Sequence, residues 1–319
     1  MFPYREDRAS SRGTRNSGRG ILETLDWNHK QELGRGSFGI VYKIQRIGGH
    51  SFRAVKCICR TESRDSDQEW RALEHLGLHK NIIKCYGHQD VILDGETHLA
   101  IELEYMDGSD LVDYMWSFFD NNQNLPSAVT TRFTAQILAG LVYIHSNGYA
   151  HCDIKPDNIM LTKAFEVKIA DFGLATYVGT YGQKKGAFGT ISYLGPECFA
   201  DDSQGFASDM WALGVTVFNM CFMGHDPFHP ITWQEIDHRA RRFLGHPLYG
   251  TNVIEVQRKL IFEHFSRIRW PINIDTWSRQ HKDAFDFITR LLTVNATTRL
   301  TASQALCEPV RFSLGRVFC

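Results

Sequence analysis

Hydrophobic positions change their spacing once along this chain, near Met106. From Trp27 the runs are short and alternating, QELG, FGIVYKIQRI and SFRAVKCICR, with β-branched residues broken by glycine, which predicts antiparallel strands. A helix is expected over 66–78, where Trp70, Leu73, Leu76 and Gly77 are spaced for one face. Two more strands are expected near 82–88 and 98–104. Together these make a small lobe with one helix on a five-stranded sheet.

After Met106 the period becomes that of helices, over 110–119, 128–147, 208–223, 255–265, 282–292 and 302–306, with no repeat of fixed length. The change of texture divides the chain into a strand-rich lobe over 25–105 and a mainly helical lobe over 106–312. The expected class is α+β and bilobal, with a cleft between the lobes where ligands commonly sit. Residues 1–24 carry five arginines among Ser, Gly and Asn and too little apolar surface to offset the entropy of ordering. A disordered tail is expected there, either simply solvated or acting as a targeting or regulatory arm with Ser10 and Ser11 close behind Arg8. Residues 313–319 are read as a second tail.

Composition narrows the class. The chain has 319 residues, 43% of them hydrophobic, enough for a sizeable core. A formal charge of −1 and a pI near 6.9 argue against nucleic acid as the main ligand. The eight cysteines include no C-x-x-C pair, and most lie in apolar segments, which suits a reduced, intracellular setting, cytoplasmic, nuclear or both. Cys57 and Cys59 share a strand face, but no matching Cys or His pair at ligand spacing completes a zinc site. No charged-then-apolar leader opens the chain, and the longest apolar stretch, 210–224, is broken by Thr216 and Asn219 and is shorter than a bilayer span. No membrane partner is expected, and the protein is expected to be a monomer.

Four motifs follow one another in order. Gly34-Arg35-Gly36-Ser37-Phe38-Gly39-Ile40-Val41 reads G-x-G-x-x-G-x-V between two strands, whereas dinucleotide-binding glycine turns open a helix. Such glycines let backbone N–H groups approach phosphates. Ala54-Val55-Lys56 places a lysine on the third strand, within reach of phosphates and of a carboxylate from the following helix. Glu69 is the first choice for that carboxylate, with Glu74 and then Glu62 as alternatives. His151-Cys152-Asp153-Ile154-Lys155-Pro156-Asp157-Asn158 gathers a carboxylate, a cation and an amide in one loop. Asp171-Phe172-Gly173 closes a buried strand with a second carboxylate able to hold magnesium. Each alone is weak; their joint order points to phosphoryl transfer.

The sequence resembles the eukaryotic-type protein kinases from about Trp27 to Phe312. The resemblance implies the bilobal kinase fold, ATP and Mg2+ as ligands, and protein substrates. It implies that Lys56 and Glu69 orient the nucleotide phosphates, that Asp153 accepts the proton of the substrate hydroxyl, and that Lys155 sits on the moving phosphoryl group. Asn158 and Asp171 would hold the metal. DIKPDN and Thr190, within GTISYLGPE, resemble the serine/threonine branch. Glu104 and Met106 would offer backbone groups to adenine, with Val41, Ala54 and Met160 as walls and Leu103 behind the pocket. Asp209 would tether the catalytic loop, and Arg299 would pair with Glu197. Asp110 and Asp157 stand where acids receive substrate arginines, which implies a mild preference for basic residues upstream of the acceptor. A fainter likeness to checkpoint and calcium/calmodulin-type kinases leaves the subfamily open.

Several positions depart from the family pattern. Cys152 replaces the arginine that pairs with a phosphate on the activation segment, so phosphorylation there, at Thr176, Thr180 or Tyr181, is not expected to be the main switch. Cys152 is read as a buried, inert thiol, with an oxidisable one as the alternative. Gly195 and Asn295 replace the usual alanine and aspartate, and both are read as tolerable. The stretch after Phe228 to about Val253 is longer than in compact members and is read as a docking element or a neutral insertion. The expected function is a protein serine/threonine kinase; the alternative is a nucleotide-binding pseudokinase scaffold.

Overall fold

The structure, a computed structural model, describes residues 24–36, 39–61, 66–186, 188–228, 259–269 and 282–308. In the small lobe, β1 (Gln31–Gly36), β2 (Gly39–Gln45), β3 (Phe52–Cys59), β4 (Cys85–Leu93) and β5 (Glu96–Glu104) form one antiparallel sheet in the order β1-β2-β3-β5-β4. β3 and β5 are buried almost continuously through their central residues because both faces of the sheet are covered. Ile58, Leu99, Ile101 and Leu103 face the helix α1 (Gln68–Leu76) and the large lobe. Tyr42, Ile44, Val55, Cys57 and Ala100 pack on the other side beneath Leu25 and Trp27.

Two expected elements differ in detail. The strand expected from 82 begins at Cys85 and runs on to Leu93, while Ile82 forms a parallel bridge with Ile169 of the large lobe. That apolar pair belongs to the core shared by the lobes. Helix α1 buries Glu69, Ala72, Leu73 and Leu76, and Gly77 ends it at φ 66° with its N–H bonded to Leu73 O. Trp70 is only half-buried and stacks on His88 at 3.7 Å between centroids, while Leu73 and Leu76 face inward together with Glu69.

Residues 105–110 connect the last strand to α2 (Leu111–Phe119), whose start is capped by Asp110 accepting Asp113 N–H at 2.8 Å. Then come α3 (Ser127–Ser146), β6 (Tyr149–Ala150), β7 (Ile159–Leu161), β8 (Val167–Ile169), β9 (Thr176–Tyr177), β10 (Gln183–Lys185), α4 (Pro196–Asp201), β11 (Ser203–Gly205) and α5 (Phe206–Cys221). Every residue of α5 from Ser208 to Cys221 is buried, as a helix apolar all round must be in a folded core. Among the described residues no helix is long and apolar enough to cross a membrane. Residues 259–265 are helical, and α6 (Lys282–Leu291) and α7 (Ala302–Cys307) follow, the latter opened by a Thr301–Gln304 capping box. Residues 1–23, Glu62, 229–253 and 313–319 lie outside the described residues, and with them the readings made of the tails and the long surface stretch.

Candidate active site

The glycine turn forms the roof of a cleft of about 530 Å3 between the lobes. β1 and β2 pair Gly36 with Gly39, and the intervening Ser37 and Phe38 lie outside the described residues. Gly39 has φ +121°, and a Cβ there would stand 2.2 Å from the Cys57 carbonyl oxygen, so the backbone itself demands glycine. At Gly34 and Gly36 a Cβ would meet nothing within 4 Å, so these two leave the roof open rather than relieve a clash. Val41, Ala54, Leu103, Met106 and Met160 line the apolar part of the cleft. Among the described residues, the Met106 N–H and C=O make no hydrogen bond.

Behind that apolar part stand three charges. β3 carries Lys56 under the roof, its Cα paired with Val41 on one side and Ile101 on the other. Its Nζ lies 2.6 Å from Glu69 Oε2 and 2.7 Å from Asp171 Oδ1. Glu74, the alternative partner, is exposed. Burial pulls the Lys56 ammonium down, but Glu69 and Asp171 more than offset it and hold it above its ordinary value. Burial likewise raises the Asp171 carboxyl, and Lys56 outweighs that and brings it below the usual carboxylate range. Lys56 is therefore a fixed cation between two carboxylates. Asp171 adopts the left-handed conformation at φ 59°, a position that costs on the order of 1–3 kcal/mol and is common at functional sites.

The floor is the loop after β6. Asp153 is 6% exposed. Lys155 Nζ lies 2.9 Å from Asp153 Oδ2 and donates to Thr190 Oγ1 at 2.7 Å, while the Thr190 hydroxyl and N–H donate to Asp153 Oδ1 at 3.1 and 3.2 Å. Asn158 Nδ2 donates to Asp153 O and Oδ2 at 2.8 and 2.9 Å, which turns Asn158 Oδ1 the other way. Asp209, at the start of α5, accepts His151 N–H and Cys152 N–H, each at 2.8 Å, and so holds the loop backbone. Cys152 is 6% exposed, and burial, with the Asp209 charge next, pushes its thiol far up. An inert thiol is what that environment makes.

Two contributors were not visible in the sequence. His145 Nε2 lies 2.8 Å from Asp209 Oδ2 and steadies the tether from α3. Gln204, 4% exposed, joins the activation segment to the catalytic loop through Cys152 O and both backbone groups of Phe188. A glutamine in DDSQGF carries no signal by itself; the missing arginine at 152 was the only cue to look for a substitute. Arg299 and Glu197 form a bidentate pair, Nη1–Oε1 2.7 Å and Nη2–Oε2 2.9 Å, which braces the segment from below.

The residues present fit a nucleotide with its metal. A hard divalent cation takes oxygen ligands, and the Asp171 carboxylate and the outward Asn158 amide oxygen both line the cleft. The unpartnered Met106 backbone offers one donor and one acceptor at the apolar end, and the open flank of Gly34 and Gly36 leaves room for phosphates.

Comparison with known proteins gives the same picture. The protein kinase domain model matches residues 27–310. Mitogen-activated protein kinase kinase kinase 20 of Arabidopsis thaliana is 35% identical over 204 residues, 61% of this chain and 59% of its own length. Myosin light chain kinase family member 4 of Homo sapiens is 28% identical over 281 residues, 87% of this chain and 64% of its own length. Death-associated protein kinase 2 of Mus musculus is 28% identical over 292 residues, 88% of this chain and 70% of its own. The matched region thus spans less than two thirds of the first two relatives. Since the family match runs from Trp27, where the alternating strands begin, through to the last described helix, the chain belongs to the protein kinase domain family.

Proposed function

We propose that the protein transfers the γ-phosphate of ATP to serine and threonine hydroxyls of protein substrates. The observation that carries this is the closed set of contacts around Lys56 and Asp153. Lys56 is held by Glu69 and Asp171 at 2.6 and 2.7 Å, and Asp153 is joined to Lys155, Thr190 and Asn158. Phosphoryl transfer is mostly positioning and charge neutralisation, and a site already assembled needs little reorganisation.

In this reading Asp153 Oδ2 takes the proton of the acceptor hydroxyl and orients its oxygen for in-line attack. Lys155, between Asp153 and Thr190, presents its ammonium to the transferring group. Lys56 orients the nucleotide phosphates, with Glu69 fixing the lysine from α1. Asn158 and Asp171 would hold magnesium, which would supply positive charge against the phosphate oxygens. Met106 and Glu104 bind the base through their backbone, and Leu103 closes the pocket behind it. Asp110 and Asp157 line the front of the cleft, where burial together with the neighbouring acids Asp113 and Asp157 raises the Asp110 carboxyl. That concentration of negative charge favours substrates with basic residues upstream of the acceptor.

Activity is proposed not to depend on a phosphate in the activation segment. With Cys152 in place of an arginine the catalytic loop presents no cation at position 152, and the neutral Gln204 amide supports the segment instead. The described cysteines are all free thiols, which supports an intracellular setting, in the cytoplasm, the nucleus or both.

Labelled ATP with Mg2+ and a set of peptides differing only in acceptor and upstream charge tests the proposal. Transfer to serine and threonine but not tyrosine, improved by upstream arginine, is the expected result. Nucleotide binding without transfer to any peptide would replace it with a scaffold role, and transfer confined to small alcohols would make the protein a small-molecule phosphotransferase.

A further inference from the structure

A second group of chemically active side chains lies in the small lobe, outside the constellation around Lys56 and Asp153. The antiparallel register pairs Cys59, the last residue of β3, with His98 on β5. Direct cross-strand partners present their side chains on one face of a sheet, and the period of two along β5 brings Glu96 to that face as well. One ligand atom from each of Cys59, Glu96 and His98 lies within 4.8 Å of the other two. The sequence offered Cys57 and Cys59 with no partner pair; the partners come from another strand, and only the register reveals them.

One of these spacings is that of neighbouring ligands around a single ion. Cys59 Sγ stands 3.4 Å from Glu96 Oε2. Two donors at about 2.3 Å (sulfur) and 2.1 Å (oxygen) from a tetrahedral zinc are themselves separated by about 3.6 Å. Cys59 is 9% exposed while Glu96 is exposed, so the sheet closes one side and solvent reaches the other, leaving an entry path and room for a water as fourth ligand. His98 Nδ1 lies 3.1 Å from the Glu96 carbonyl oxygen, an orienting contact of the kind that holds metal-bound imidazoles in place.

We propose that Cys59, Glu96 and His98 form a binding site for a zinc-class divalent cation that ties the end of β3 to the start of β5. Thiolate, imidazole and carboxylate together suit a borderline-soft ion, in contrast to the all-oxygen set of Asn158 and Asp171. On binding, the Cys59 thiol loses its proton to solvent as the sulfur–metal bond forms, and no electron changes hands. All three residues border a hollow of about 560 Å3 that they share with Gly36 and Gly39, so the ion would sit beside the glycine turn.

Titration of the full chain with Co2+ alone, without magnesium, followed by Zn2+, tests this. The expected result is one cobalt per chain with a thiolate-to-metal charge-transfer absorption that zinc abolishes, and a thermal midpoint that rises with zinc. Cys59→Ser should lose both the absorption and the zinc-dependent rise. His98→Ala should weaken cobalt binding by more than about tenfold, since losing a ligand exceeds the effect of losing an outer partner. Asp171→Asn should retain the absorption. An absorption that survives Cys59→Ser places the metal on another cysteine and overturns the proposal, as does the absence of any thiolate absorption in the wild type. Should Cys59→Ser fail to fold, Glu96→Gln and His98→Ala decide the matter: cobalt affinity unchanged in both would equally refute the site.

Discussion

Gln204 clamps Phe188 at both of its backbone groups: Gln204 Oε1 accepts the Phe188 N–H at 2.9 Å, and Gln204 Nε2 donates to the Phe188 carbonyl at 2.9 Å. The same Nε2 donates to Cys152 O at 2.9 Å, so a neutral, buried amide connects the activation segment to the residue beside Asp153. β10 and β11 add a short ladder from Gln183–Lys185 to Ser203–Gly205. Position 152, where a cation would pair with a phosphate on the segment, carries a thiol instead.

Removing the clamp should therefore cost activity. Gln204→Ala leaves three backbone groups without their partner, at about 1–3 kcal/mol for each one that stays buried. A fall in kcat/KM of about tenfold or more is expected, together with faster proteolysis within 176–194, while Thr176→Ala and Thr180→Ala keep activity within about twofold. Steady-state kinetics and limited proteolysis of the unphosphorylated proteins check this. A large rise in wild-type activity on phosphorylation of either threonine would show that the segment depends on modification after all.

Lys56 stabilises the fold as well as the site. Lys56→Met leaves Glu69 and Asp171 facing each other without their cation, and breaking a buried pair in this way costs about 3–5 kcal/mol. Thermal unfolding should show a clear drop in midpoint along with loss of transfer. Adding Glu69→Leu removes the stranded charge and should recover much of the stability but none of the activity, a coupling that a double-mutant cycle reads directly.

The kinase motifs, the five strands and the succession of long helices were legible because each rests on local pattern: glycine spacing, alternation, or an apolar period sustained over several turns. What was not legible depends on partners far apart in the chain. An exception is the Lys56–Glu69 pair, where Glu69 is the first choice of three acids because Leu73 and Leu76 share its inward side, and only Trp70 on that face proves half-buried. Ile82 looked like the start of a strand and instead bridges to Ile169, 87 residues on, which no local period encodes. Ladders of two or three residues, such as β6 with β9 and β10 with β11, are too short for alternation to register. The Cys59–His98 pairing is a matter of register between strands, and Gln204 acts through backbone groups that any residue possesses.

Gly195 is a departure from the family pattern that the structure explains. A Cβ there would stand 2.6 Å from Glu197 Oε1, and that carboxylate is held by both terminal nitrogens of the buried Arg299. Gly195→Ala, a return to the usual family residue, should therefore destabilise the protein, by about 1–3 kcal/mol as for other overpacked interiors. Denaturant unfolding measures it; an unchanged midpoint would mean that the pair shifts freely.

The thiols should separate by environment. Burial raises Cys85 to about 11 and Cys57 and Cys198 to about 12, and pushes Cys152 and Cys221 further up, whereas Cys307 is exposed. Treating the native protein with iodoacetamide at about pH 8 should label Cys307 and leave Cys152, Cys198 and Cys221 unmodified until the chain is unfolded. Mass spectrometry reads the sites, and rapid labelling of Cys152 in the native state would revive a redox role beside the catalytic aspartate.

The most direct test of the account is single-turnover transfer from labelled ATP with Mg2+ to a serine peptide carrying upstream arginines, using protein verified by mass to be unphosphorylated, next to Asp153→Asn. Asp153→Asn keeps the shape of the side chain and removes the charge that accepts the hydroxyl proton, so the rate should fall by at least the 100- to 10,000-fold typical of a lost general base, roughly, with nucleotide affinity unchanged. Transfer by the unphosphorylated wild type and its loss in the variant is the predicted outcome. Equal rates in the two proteins, or no transfer by the wild type while ATP and Mg2+ still bind, would contradict the assignment of this site to phosphoryl transfer.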